Sequence, residues 1–290
     1  FFPAGCEDLD TYWEFLVQGK CAIREPKPER CITRSDLKVK AGFTDDVGGF
    51  DAQFFKMSPL EASQLDPQQF HLLECTWEAL EDAGYKPGDL VNSPTAVMIG
   101  CGFGEHLSQA VSDSDHMSRF SPTTIIPCMI ANRVSYCYGF RGPSITIDTA
   151  CAGALTAVHY ACNVLQLGSA SLAIAGGTNF LTESNFFIAI KQAHMNSPTG
   201  ESRPFDKDAN GYVRAEGAGA AVLKLYEDAV RDGDRIHAVI VGSEASHNGK
   251  TGLAFTTPST EAQAELCRTV AARCGVDPAA VRYVEAHGTG

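Results

Sequence analysis

The clearest hydrophobic periodicity runs through residues 66–83 (DPQQFHLLECTWEALEDA), where Phe70, Leu73, Trp77 and Leu80 recur at helical spacing. Asp66 can cap this helix, Pro67 suits its first turn and Gly84 can end it. Beyond it, short apolar runs alternate with periodic segments. Strands are expected at Ala96–Ile99, Ser144–Asp148, Ser171–Gly176, Ala218–Leu225, Ile236–Ser243 and Val281–Ala286. Helices are expected at Leu9–Val17, Thr124–Tyr136, Ala152–Leu167, Glu227–Arg231 and Ser259–Cys274, the last followed by Gly275. The alternation predicts an α/β fold in which helices cover a mixed sheet. A polar turn at Arg231-Asp-Gly-Asp234 suggests a division into residues 1–231 and 232–290.

Composition narrows the classes. The chain has 290 residues, 44% of them hydrophobic, enough for a sizeable core. Its net charge is −12 and no Lys/Arg stripe occurs, so nucleic acid is not an expected partner. No apolar stretch is long enough to span a membrane, and no signal-peptide pattern opens the chain. Both ends read as cuts through a domain. The eleven cysteines are odd in number and lack C-x-x-C spacing. Cys75, Cys137 and Cys162 sit in apolar runs. Free, mostly buried thiols in a reducing, cytoplasmic setting are expected, with neither a disulfide framework nor a metal site.

One thiol is placed differently. Cys151 follows the strand Ser144–Asp148 and the turn Thr149-Ala150, and it leads into the helix Ala152–Leu167. A helix start offers free N–H groups and the positive end of the dipole, a setting that favours thiolate over thiol. A sharp strand-to-helix turn also pushes a nucleophile out of the sheet. In Asp148-Thr-Ala-Cys-Ala-Gly-Ala154, the small flanking residues leave room for a substrate carbonyl and free the Cys151 N–H for an oxyanion.

Two further stretches bear on this cysteine. Glu285-Ala-His-Gly-Thr-Gly290 brings His287 from a strand to a tight turn, and a Cys–His pair remote in sequence is a common nucleophile arrangement. For a single histidine, a capped core residue is the competing reading. The long polar stretch 196–219 contains Arg203, Asp206, Arg214 and Glu216, either as part of a solvated loop or as ion pairs that brace a site.

Several segments, in order, resemble the β-ketoacyl synthase (ketosynthase) domain of modular polyketide synthases, within the thiolase-like superfamily. They are Asp66-Pro-Gln-Gln69, Trp77-Glu-Ala-Leu-Glu-Asp-Ala-Gly84, Ala131-Asn-Arg-Val-Ser-Tyr136, Gly142-Pro-Ser144, Asp148-Thr-Ala-Cys151 and Gly176-Gly177. Arg203-Pro-Phe-Asp206, Gly211-Tyr-Val-Arg214, Glu216-Gly-Ala-Gly219, Asp232-Gly-Asp-Arg-Ile236 and Glu285-Ala-His-Gly-Thr-Gly290 complete the set.

The resemblance implies a layered αβαβα architecture with mixed sheets and an incomplete C-terminal half. It implies decarboxylative condensation of a malonyl-type extender onto an acyl chain, with no cofactor in the domain itself. The substrates would be carried on the phosphopantetheine of acyl carrier protein. On matching positions, Cys151 would accept the acyl chain, His287 would hydrogen-bond the extender carbonyl and Thr289 would line the pantetheine channel. Implied partners are acyl carrier protein, neighbouring synthase domains and a second copy, with Ser144–Asp148 near the twofold axis.

The family's Ser-rich segment after the cysteine is here Ala152-Gly153-Ala154. Its second catalytic histidine would fall beyond Gly290. None of the histidines at 71, 106, 116, 159, 194, 237 and 247 lies in a motif that could replace it, so little or no activity is expected of the chain alone. A fatty-acid ketosynthase, another thiolase-like enzyme, a Cys–His thioester hydrolase and a non-catalytic scaffold remain open alternatives.

Overall fold

The computed structural model describes residues 1–6, 8–30, 32, 39–102, 105–106, 117–250 and 256–290. His116 and one of the eleven cysteines, Cys31, lie outside them. Two compact units are present. One comprises Phe1–Lys224 with Gly288–Gly290, the other Leu225–His287.

The larger unit begins with helix α1 (Leu9–Val17). Asp8 caps it by accepting from the Thr11 N–H. Strands β1 (Ile23–Arg24) and β2 (Ala41–Gly42) form a two-stranded antiparallel pair. Helix α2 (Pro67–Asp82) follows, with Asp66 accepting from the Gln68 N–H as its N-cap. Next come β3 (Thr95–Cys101), α3 (Met129–Tyr138), β4 (Ser144–Ile147), α4 (Gly153–Gln166), β5 (Leu172–Asn179), α5 (Asn185–Gln192) and β6 (Gly217–Leu223). Helix α3 starts later than the expected Thr124 because Pro127 intervenes. Ser121–Thr124 forms a separate short helix.

The sheet order is β4-β3-β5-β6. β3 pairs in parallel with β4 and β5, and β6 runs antiparallel to β5. Every residue of β3 is buried, as a strand covered on both faces requires. Val97 and Ile99 of β3 join Leu72, Leu73 and Leu80 of α2, Ile130 and Val134 of α3, and Ile174 of β5 in one core. The other face carries small residues. Gly100 and Gly177 meet the first residues of α4 there.

The polarity of the strands creates a functional edge. The parallel strands β3, β4 and β5 end at the same side of the sheet. The antiparallel β6 starts there, with Gly217 opposite Asn179. That edge therefore collects residues 102, 105–106, 148–152, 180–184 and 210–216, the usual position of a site in an open α/β sheet.

The smaller unit contains helices α6 (Tyr226–Asp232) and α7 (Thr260–Cys274). Ser259 caps α7 by accepting from the Ala262 N–H, and Gly275 terminates it with a positive φ. The strands expected at Ile236–Ser243 and Val281–Ala286 do not form among the described residues. Their apolar pattern is present, but a strand requires a ladder partner, and neither segment has one among those residues. Val241 and Val284 are correspondingly exposed. Ile240, Val241, Val270, Cys274, Val281 and Val284 line a groove of about 610 Å³. Among the described residues, no helix is long and apolar enough to cross a membrane.

Candidate active site

Cys151 sits on an elbow built by three local devices. β4 ends at Ile147, and Asp148 Oδ1 then accepts from the Ala150 N–H at 2.9 Å. Ala150 takes φ +51°, a left-handed conformation that costs a non-glycine residue roughly 1–3 kcal/mol. A 3-10 turn, Ala150–Ala152, then leads directly into α4. The chain reverses at Ala150 and leaves Cys151 exposed. The Cys151 N–H has no acceptor among the described residues, and no side chain caps either the 3-10 turn or α4. The helix start thus keeps donors for a ligand oxygen beside the thiol.

The small residues after Cys151 have a packing reason that sequence reading missed. A Cβ on Gly100 would stand 2.2 Å from the Gly153 carbonyl carbon, and one on Gly177 would stand 2.7 Å from Ala154 Cβ. The first turn of α4 is therefore pressed onto the sheet. Gly153 and Ala154 serve that contact in addition to leaving the thiol's surroundings uncrowded.

The other thiols differ. The ten described cysteines form no disulfide, but only Cys6, Cys75 and Cys101 are buried, fewer than expected. Cys137 and Cys162 are half-buried because their helices turn one flank outward. Cys101 donates to Gln68 Oε1 at 3.2 Å. Burial pushes its thiol up to about 12, and the nearby Asp66 and Asp148 carboxylates push it the same way. Such a thiol is held protonated and inert.

Arg214 and Glu216 do form buried ion pairs, with partners outside their own stretch. Arg214 Nη2 meets Glu105 Oε1 at 2.6 Å, and its guanidinium lies over the Phe186 and Phe187 rings. Glu105 Oε2 also accepts from the Thr182 and Glu183 N–H groups at 2.9 and 3.0 Å. Glu216 pairs with Arg30 and accepts from the Leu181 N–H at 2.9 Å and from Thr44 N and Oγ1 at 3.0 Å. Two carboxylates thus hold three consecutive amides after β5. Arg203 pairs at the surface with Glu201, and Asp206 accepts from the Asp208 N–H.

In the sequence, Tyr212 is named only as part of its motif. It is anchored through Tyr212 N to Met195 O and Ser197 N to Tyr212 O. Burial raises its phenol above the ordinary value, and the Cys151 charge adds to the rise while Arg214 opposes it. The tyrosine is therefore within electrostatic reach of Cys151.

The terminal turn rests on the polar stretch. A Cβ on Gly288 would lie 3.4 Å from Pro204 Cβ and from Phe205 Cε2, and one on Gly290 would lie 3.0 Å from Arg203 N. Thr289, in this turn, is exposed. His287 belongs to the smaller unit and is also exposed.

Other motif residues prove architectural. Gln69 Nε2 donates to Thr124 O at 2.8 Å, and Gln69 Oε1 accepts from Arg133 Nε at 2.5 Å. Arg133 also donates to Glu61 and to Thr123 O. These bonds tie α2 to α3. Burial raises the Asp66 carboxyl above its ordinary value, and the Asp66 N–H is anchored on Thr124 O.

Comparison with known proteins agrees with this architecture. Residues 1–229 match the β-ketoacyl synthase N-terminal domain and residues 237–290 the C-terminal domain. A phenolphthiocerol/phthiocerol polyketide synthase polypeptide of Mycobacterium tuberculosis is 41% identical over 300 aligned positions, covering 100% of this chain and 19% of the relative. The 5-methyl-1-naphthoate synthase of Streptomyces sahachiroi is 40% identical, covering 98% of this chain and 17% of the relative. The oxazolomycin ketosynthase domain from Streptomyces albus JA3453 superposes with a TM-score of 0.93 at 34% identity, covering 100% of this chain and 53% of that structure. The ketosynthase from module 6 of the Bacillus subtilis 168 bacillaene synthase gives 0.87 at 33% identity, covering 99% and 49%. The chain thus spans about a fifth of the curated relatives and about half of the solved ketosynthase chains.

Proposed function

The chain belongs to the β-ketoacyl synthase family, and from that premise we propose that it serves polyketide chain elongation, with Cys151 as the acyl-accepting nucleophile. The observation that carries this reading is the exposed thiol on a strained elbow, beside uncapped helix N–H groups. The Cys151 thiolate attacks the carbonyl carbon of an acyl thioester. Its own N–H donates to the oxyanion that forms. The carbon–sulfur bond to the carrier breaks, and the departing thiolate takes up the proton that Cys151 lost.

Condensation follows in the same reading. A malonyl-type extender on acyl carrier protein loses carbon dioxide, and its electron pair becomes an enolate. His287 donates a hydrogen bond to the thioester oxygen, where that negative charge develops. The enolate carbon attacks the acyl-cysteine carbonyl. A carbon–carbon bond forms, and Cys151 leaves as thiolate. Thr289 lines the path of the pantetheine arm. The division into an N-terminal half, 1–231, and the start of a C-terminal half, 232–290, is part of this proposal, as is a cytoplasmic location.

Acyl carrier protein, neighbouring synthase domains and a second copy of the chain are the proposed partners. The open edge of β4 supports the last of these. β4 is paired only with β3 among the described residues, and Ile145 on it, Tyr136 on α3 and Leu155 on α4 are exposed apolar residues.

Incubation with an acyl-pantetheine thioester, followed by peptide mass mapping, tests the nucleophile. Slow transfer of one acyl group to Cys151, absent in Cys151→Ala, is expected, with little or no turnover of a malonyl-type extender by this chain alone. Equal acylation of the variant would refute the assignment.

A further inference from the structure

We infer that Thr156 is a positioning residue for acyl transfer: by accepting a hydrogen bond from the Thr149 hydroxyl, it keeps that hydroxyl off the Cys151 N–H. The inference rests on the ketosynthase reading and deepens it by assigning a residue to the upkeep of the oxyanion donor.

The turn before Cys151 gives each side chain a local use. Asp148 Oδ1 accepts from the N–H two residues on, that of Ala150, at 2.9 Å. Thr149 stands in the same relation to Cys151, and it is the N-cap of the 3-10 turn Ala150–Ala152. A threonine in that position ordinarily turns its hydroxyl to accept from the N–H two or three residues on. Of those two donors, the Ala152 N–H is already engaged, donating to Thr149 O at 3.2 Å. The Cys151 N–H is the donor that remains for the hydroxyl to cap.

Thr149 does not cap it. Its side chain makes no capping bond to the turn, and Thr149 Oγ1 instead donates to Thr156 Oγ1 at 3.1 Å. The bond spans seven positions, with Cys151 between its ends. Its acceptor is held firmly, because Thr156 lies in α4, the helix whose first residues press on Gly100 and Gly177. A capped N–H must shed its partner before it can receive a substrate oxygen. The diverted hydroxyl leaves the donor ready, and that readiness counts only where negative charge develops on the oxygen.

Two rates at Cys151 are measured in this protein: acylation by a butanoyl pantetheine thioester, and alkylation by iodoacetamide, which forms no oxyanion. Thr156→Val keeps the shape but removes the acceptor. It is expected to slow acylation about tenfold and to shift alkylation by less than about twofold. Thr156→Ser retains the acceptor and should acylate within about twofold of the unsubstituted protein. Adding Thr149→Val to Thr156→Val removes the freed hydroxyl and should restore acylation to the same range. Unchanged acylation in Thr156→Val, an equal loss in alkylation, or a double variant as slow as Thr156→Val would overturn the inference. Failure of the thioester to acylate Cys151 in the unsubstituted protein would overturn the ketosynthase reading itself, and this inference with it.

Discussion

Gly100 and Gly153 touch across the boundary between sheet and helix, so closely that a Cβ on Gly100 would fall 2.2 Å from the Gly153 carbonyl carbon. The contact fixes the depth at which α4 sits on the sheet, and with it the level at which Cys151 emerges. Gly100→Ala cannot be absorbed by a side-chain movement, since the opposing atoms are backbone. A loss of about 1–3 kcal/mol or more is expected, read as a lowered midpoint in urea, together with slower acylation of Cys151. An unchanged midpoint would show that the helix shifts freely.

Ala150 supplies a second check on the elbow. Ala150→Gly removes the left-handed strain and should stabilise the protein by about 1 kcal/mol. The same change loosens the turn, so acyl transfer to Cys151 should slow. Thermal melting and the acylation rate, measured on one preparation, should move in opposite directions.

Thiol reactivity should separate the cysteines. Under limiting iodoacetamide at neutral pH, Cys151 should be alkylated well ahead of Cys101, which burial and two carboxylates keep protonated to about 12. The sign for stability follows. Cys101 has its proton affinity raised by folding, so its contribution is complete below the ordinary value of 9.0 and is lost as pH rises from there towards about 12. Cys101→Ala should flatten that alkaline decline in urea midpoint.

The phenol of Tyr212 reports on Cys151. Cys151→Ala removes one cause of its raised proton affinity but leaves burial, the larger one. Ultraviolet titration of phenolate should show the Tyr212 transition moving down towards the ordinary value of 10.0 without reaching it. No movement would mean that the two side chains are electrostatically separate.

The Arg214–Glu105 pair is buried, with side chains 6% and 4% exposed. Arg214→Met leaves a carboxylate without its cation and should lose about 3–5 kcal/mol. Adding Glu105→Gln should recover part of that loss, as a double-mutant cycle in urea would measure.

What is legible in the sequence is local. Helix α2 is readable because its cap, its proline and its apolar period all lie within one stretch. The Cys151 elbow is readable for the same reason. The segments Ile236–Ser243 and Val281–Ala286 mislead because their pattern satisfies a strand while the ladder partner is a property of other residues. Arg214 does form an ion pair, one of the two readings of its stretch, but its partner lies 109 positions away, and nothing near Glu105 announces it. The Gln69 and Arg133 motifs carry the family resemblance, and they join two helices. Family patterns record architecture and chemistry alike.

The loop after β5 has a property that follows from how it is held. The N–H groups of Leu181, Thr182 and Glu183 donate to carboxylates 35, 77 and 78 positions away. Neighbouring turns of backbone do not protect these hydrogens, so local fraying at helix ends leaves them untouched. They exchange with solvent only when distant parts of the chain let go together. In heavy water they should behave as one block, and their exchange rate is a direct gauge of whether the sheet edge bearing Cys151 is assembled.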